Sequence, residues 1–176
     1  RVHRGRVFEL HVDNVTLENG ITVDVDVVRH PGAAAIVPLT AGGGILLIRQ
    51  FRYALGTDIW EIPAGTLEPG ESPLACARRE LAEEAGVRAA DWTALGAITP
   101  LPGYCDEVVH LYRARQLSPT PQALDADELL EVQELAFDTA LSMIARQEIQ
   151  DAKTIAGLLL ARNLPDAAAP GAPARR

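Results

Sequence analysis

The chain is short of cysteine, lysine, aromatic rings and long apolar runs, and each shortage excludes a class of protein. Two cysteines, Cys76 and Cys105, are too few for a disulfide framework or a thiolate zinc site. No stretch approaches the roughly 18 uninterrupted apolar residues of a membrane span. Residues 1–7 lack the apolar stretch of a signal peptide. A cytoplasmic protein with no membrane partner is therefore expected. Basic residues are outnumbered 24 to 16, a net charge of −8. That argues against a nucleic-acid partner, which needs a basic face, and against a polybasic membrane anchor. Fifteen of the sixteen cations are arginine and one is lysine; this reads as compositional bias.

What is there is an ordinary globular mix, 48% apolar and 23% charged over 176 residues, at roughly 100–200 residues per domain one domain's worth. The acid is concentrated in two places. Residues 61–84 hold Glu61, Glu68, Glu71, Glu80, Glu83 and Glu84 against two arginines. Residues 123–138 hold Asp125, Asp127, Glu128, Glu131, Glu134 and Asp138 with no base. Dense carboxylates of this kind are candidate metal sites.

Turn signals and periodicity predict the elements. Val7–Leu17 and Ile21–Val28 read as strands joined by Asn19-Gly20, a hairpin signal. Ala33–Leu39 and Ile45–Arg49 read as a second hairpin around Gly42-Gly43-Gly44. Thr57–Ile62, Trp92–Ile98, Glu107–Ala114 and Leu130–Phe137 are further strands, with a loop at 116–128. Ser72–Gly86 is the clearest helix, with Ser72 as N-cap, Pro73 at the first position and Gly86 at the C-terminal end. Helices follow near 138–147 and 152–162. The order implies an α/β sandwich with a mixed sheet.

On the 72–86 helix, Glu80, Glu83 and Glu84 stand at i, i+3 and i+4, on one face. Like charges so placed destabilise a bare helix. A hard cation such as Mg²⁺, which takes oxygen ligands and substrate phosphates, would reverse that penalty. The glycine spacing Gly65-x4-Gly70 matches a P-loop, but Glu71 stands where the phosphate-binding lysine belongs, so that reading fails.

The same stretch reads Gly65-(five residues)-Glu71-(seven residues)-Arg79-Glu80-Leu81-x-Glu83-Glu84-x-Gly86-Val87. All nine specified positions of the Nudix box are filled, and the chain resembles the Nudix hydrolases. The resemblance implies a Nudix-type α/β/α sandwich with a mixed sheet and an N-terminal β-hairpin extension. It implies a loop-helix-loop that binds Mg²⁺, with Mn²⁺ able to substitute, and hydrolyses a nucleoside diphosphate linked to another group. Glu80 and Glu84 would be the main metal ligands, Glu83 would ligate or polarise a water, and the Ala64 carbonyl would add a ligand. Arg79 and Glu71 would pair to hold the helix.

Outside the box, Glu61-Ile-Pro-Ala-Gly65, Pro102-Gly-Tyr-Cys-Asp-Glu107, Arg49-Gln-Phe-Arg52, His30-Pro-Gly-Ala and Asp151-Ala-Lys-Thr-Ile-Ala-Gly are similar to stretches of the ADP-ribose pyrophosphatases. That likeness runs from about Gly5 to Arg162. It implies conversion of ADP-ribose to AMP and ribose 5-phosphate, substrate contacts from Arg29, Arg52, Gly65, Gly103 and Glu107, and a homodimer. Arg52 would hold the diphosphate and Glu107 the ribose hydroxyls. In the subfamily a glutamate on a loop after the box serves as base or positions the water; Glu128 is the choice here, Asp127 the runner-up. Residues 1–32 would be a β-hairpin extension for dimerisation or substrate contact, 33–163 the Nudix domain and 164–176 a disordered tail. Adenine is often gripped by aromatic or arginine side chains near the N-terminal strands, yet Asp24-Val25-Asp26 carries no ring. A GDP-sugar therefore stays open as substrate; a sensor that binds without hydrolysis is a third reading, against which the intact box argues.

Overall fold

The run Ala33–Leu39 becomes the centre of the molecule. In the computed structural model, which describes residues 1–124 and 129–163, it forms β4 (Ala33–Pro38), buried at every position. One edge of β4 pairs antiparallel with β7 (Ala64–Thr66) and the other pairs parallel with β9 (Val109–Pro119). β8 (Val87–Ile98) adds to β9, so the sheet is four-stranded and mixed, in the order β7-β4-β9-β8. A second sheet runs β10-β5-β6, with β5 (Gly44–Arg52), β6 (Thr57–Glu61) and β10 (Leu130–Ala136) all antiparallel.

Helices cover both faces of the central strands. Successive side chains of a strand point to opposite faces. Ala34 and Ile36 accordingly pack with Cys76, Ala77 and Leu81 of α1 (Pro73–Ala85). Ala35 and Val37 pack on the other side with Ile62, Leu111, Ile149 and Leu158, where α2 (Phe137–Ala145) and α3 (Ala152–Asn163) lie. The expected α/β/α layering with a mixed sheet is what forms. Among the described residues no helix is long and apolar enough to cross a membrane.

Local chemistry accounts for α1. The Ser72 hydroxyl accepts the Ala75 N–H at 3.3 Å, proline occupies the first turn, and Gly86 closes the helix at φ 63°. That left-handed conformation costs an L side chain about 1–2 kcal/mol, so glycine belongs there.

Two expectations are corrected and one strand is added. Ala33–Leu39 and Ile45–Arg49 do not form a hairpin, because both edges of β4 are taken by β7 and β9. The Gly42–Gly44 turn instead carries the chain from one sheet to the other, leaving only a Leu39–Ile45 bridge. The loop predicted to begin at 116 begins later, since β9 runs on to Pro119 opposite Val87. β7 was not foreseen, because Ala-Gly-Thr has no strand pattern of its own; it is extended by pairing with β4.

At the N-terminus β1 (His3–Arg4), β2 (Glu9–Thr16) and β3 (Thr22–Arg29) make a separate three-stranded sheet. Asn19-Gly20 turns it, with Gly20 at φ +83°. It joins the remainder through Val28, whose N–H donates to Tyr104 O at 2.7 Å and whose carbonyl accepts from Asp106 N at 3.1 Å. Val2, Phe8, Val12, Val15, Leu17 and Ile21 are exposed on or beside it.

Candidate active site

The acidic face of α1 packs against β7. Glu80 and Glu84 are 8% and 3% exposed, unusual burial for carboxylates. Glu84 Oε2 accepts the Ala64 N–H at 2.8 Å. Glu80 lies against Gly65, where a Cβ would come within 1.7 Å of Glu80 Oε1. The box glycine is therefore set by room for a carboxylate, with no special backbone angle. Arg79 ties the cluster together. Its Nε and Nη2 donate to the two Glu71 oxygens at 3.0 and 2.9 Å, and its Nη1 donates to Glu80 at 2.7 Å and Glu83 at 3.1 Å. The Arg79 bonds hold the Glu71 carboxyl down at about 2. Burial, with Glu80 and Glu71 adding repulsion, pushes the Cys76 thiol up to about 12, so it is a packed and unreactive side chain.

β7 also walls a cleft of about 280 Å³, lined among others by Arg52, Ala64, Gly65, Thr66, Glu107, Asp151 and Lys153. Its cations are fixed by one buried acid. Glu61, at the end of β6, accepts Arg52 Nε at 2.7 Å on one oxygen and Lys153 Nζ on the other. Lys153 also donates to Asp151 Oδ1 at 3.1 Å. Asp151 uses its second oxygen to cap α3, accepting the Thr154 N–H at 2.9 Å and hydroxyl at 2.6 Å. Burial opposes the charge on Arg52, but Glu61 outweighs it and the guanidinium stays protonated.

The structure thus brings Arg52, Ala64, Gly65 and Glu107 to one cleft, with Glu80 and Glu84 behind its β7 wall. Glu83 is the more exposed member of the helix cluster. Arg29 and Gly103 are not in this cleft. Arg29 donates to Asp13 at 2.7 Å and Asp106 at 3.1 Å, tying the N-terminal sheet to the loop before β9. Gly103 lines a different groove with Val25, Val27 and Tyr104. Glu128 and Asp127, like the tail 164–176, lie outside the described residues. The segment entering that loop is anchored on α1: Ala123 N–H donates to Glu83 O at 3.1 Å and Gln122 Nε2 to Glu84 O at 2.5 Å.

Glu61, Asp151 and Lys153 lie in stretches similar to those of the ADP-ribose pyrophosphatases, but the sequence pattern assigned them no role; the fold brings them together. One signal was available: the single lysine of an arginine-rich chain stands two residues after a helix-capping aspartate.

The donor set suits a hard divalent cation. Glu71, Glu80, Glu83 and Glu84 are four carboxylates against the one guanidinium of Arg79. Excess negative charge half out of water is costly without a cation, and all the donors are oxygens. Among the described residues no three such groups converge as a ready ligand set; Glu80 is turned to Arg79 and Glu84 to the Ala64 amide. The residues fit a metal that would displace Arg79 from part of its contacts.

Comparison with known proteins agrees with this geometry. The NUDIX domain signature matches residues 29–158. The chain is 42% identical to an ADP-ribose pyrophosphatase of Bacillus subtilis (strain 168), across 88% of this chain and 84% of that protein. It is 43% identical to a methanol dehydrogenase activator of Bacillus methanolicus, across 88% and 85%. The crystal structure of an ADP compounds hydrolase superposes with a TM-score of 0.80 at 25% identity, covering 92% of this chain and 88% of that one. A filled box, its carboxylates gathered on one buried helix face and a signature spanning most of the chain leave one assignment: this chain belongs to the Nudix hydrolase family.

Proposed function

We propose that the chain hydrolyses the diphosphate of ADP-ribose, giving AMP and ribose 5-phosphate, with Mg²⁺ as cofactor and Mn²⁺ as substitute. The observation that carries the reading is that β7 is shared: one side bears the Glu80–Glu84 cluster, the other opens on a cleft with two fixed cations. The named activity of the Bacillus subtilis relative supports the substrate.

Glu80, Glu83, Glu84 and the Ala64 carbonyl would hold the metal. When bound, it offsets the diphosphate charge and activates a water. Arg52 meets the diphosphate oxygens; its bond to Glu61 engages only Nε, and a planar fork suits phosphate. Lys153 shares Glu61 with Arg52 and so sets where that fork stands. Glu107 accepts hydrogen bonds from ribose hydroxyls. Glu128 takes the proton of the attacking water; the chain leading to it after β9 is tied to the end of α1 at Gln122 and Ala123. Arg29 and Gly103 contact substrate across a dimer in which residues 1–32 form the contact arm. The setting is the cytoplasm, in keeping with two cysteines that stay unpaired.

The test is a panel of ADP-ribose, GDP-sugars, NADH and dinucleoside polyphosphates assayed with Mg²⁺ and with chelator, products resolved by chromatography. ADP-ribose should give the highest kcat/KM, and Glu84→Gln should lower kcat by several orders of magnitude in a folded protein. Faster turnover of a GDP-sugar would reassign the substrate. Calorimetric binding of ADP-ribose with no AMP released would make the chain a sensor.

A further inference from the structure

The inward row of β9 changes character along its length. Val109 and Leu111 are buried in the core that faces α3. Alternation puts Arg113 and Arg115 on that same face. Val109 and Ala33 pair at the end of β4 and β9 that lines the catalytic cleft, whereas Arg113 pairs with Val37 near the opposite end. There a second cleft of about 330 Å³ is lined by Leu39, Thr40, Arg113, Arg115, Phe137 and Arg162.

Arg113 is only 5% exposed, and its buried Nε has no hydrogen-bond partner among the described residues. A buried cationic donor without an acceptor is costly, and proteins ordinarily satisfy it. The neighbouring acids do not line this cleft. Glu134 accepts the Thr40 hydroxyl at 2.7 Å. Asp91, the register partner of Arg115, shares the adjoining hollow with it, so Arg115 stands between the two. Arg113 and Arg162 thus meet at one opening, with Arg115 at its border, in a protein whose net charge is −8.

We propose that this cleft is a second anion site, separate from the catalytic cleft, that takes a phosphate group. Guanidinium forks match phosphate oxygens in pairs, and a dianion offers an acceptor to a guanidinium whose Nε has none among the described residues. Phe137 offers an apolar wall to whatever the phosphate is attached to. The group comes either from free orthophosphate or from a phosphate monoester. The assignment does not depend on the hydrolytic reaction proposed above.

The experiment is calorimetric titration of the full chain with inorganic phosphate in chelator, at ionic strength held constant with chloride. Saturable binding is expected. Arg113→Met and Arg162→Ala should each weaken it by at least about tenfold, the scale of a lost charged hydrogen bond, while Arg52→Ala in the catalytic cleft binds as before. Arg162 is exposed at the end of α3, so its variant folds even if the Arg113 variant does not. Parallel titrations with AMP and ribose 5-phosphate identify the source: tighter binding of an ester assigns the site to esters, equal binding to the free ion. No saturable binding by the wild type, or wild-type affinity in the Arg162 variant, overturns the proposal.

Discussion

One methyl group at position 65 would collide with the Glu80 carboxylate, proposed above as a metal ligand. A Cβ there would lie 1.7 Å from Glu80 Oε1, and the flexible end of Glu80 would have to give way. Gly65→Ala should therefore lower kcat about 100-fold, the scale of an ångström-sized misplacement in an active site. Its melting temperature should shift by only a few degrees. Steady-state kinetics beside thermal unfolding check this; unchanged turnover would show that the position of Glu80 is immaterial. The box residues were legible in sequence because they sit within one short stretch, where spacing alone implies proximity. Lys153 and Glu61 were not, because they are 92 positions apart and meet only in the fold. The partners of Arg29, Asp13 and Asp106, lie 16 and 77 positions away and were equally illegible.

At the scale of the element, α1 is held to its preceding loop by an acid. Glu71 is held at about 2, well below its ordinary 4.5, by Arg79 first, while partial burial opposes. The group thus prefers its charged form in the folded state. Its contribution to stability is complete above about pH 4.5 and is lost as pH falls toward 2. Glu71→Gln should be less stable than wild type at neutral pH, and its denaturant midpoint should fall less steeply between pH 4.5 and 2. Parallel slopes in a pH series of urea titrations would remove Glu71 from the acid response. The boundaries of α1 could be read in advance because Ser72, Pro73 and Gly86 act on their own neighbours. Strand partners could not. Whether β4 meets β5 or β9 is decided by which edge is free, and Ala33–Pro38 carries no mark of that.

For the whole molecule, the N-terminal sheet is the part least accounted for by its own contacts. Phe8, immediately before β2, and Val12 within it are each 44% exposed. Exposed apolar groups so clustered mark an interface. Light scattering coupled to size exclusion should give twice the 18.9 kDa chain mass, and Phe8→Asp with Val12→Asp should return it to that of a single chain. A wild type of single-chain mass would end the dimer reading. The hairpin itself was foreseen from Asn19-Gly20; what it packs against is a property of two surfaces, and one chain's pattern does not encode it.

The parallel pairing of β4 with β9 has a consequence for how the protein is made. Ala33 waits for Val109, a separation of 109 − 33 = 76 residues, and contacts so distant in sequence slow folding. The cleft beside β7 needs both of those residues, and it needs Lys153, later still. A nascent chain paused on the ribosome before α3 emerges can form the carboxylate helix but not the cleft beside it. Synthesis therefore completes the cleft last, after the carboxylate helix has already reached solution.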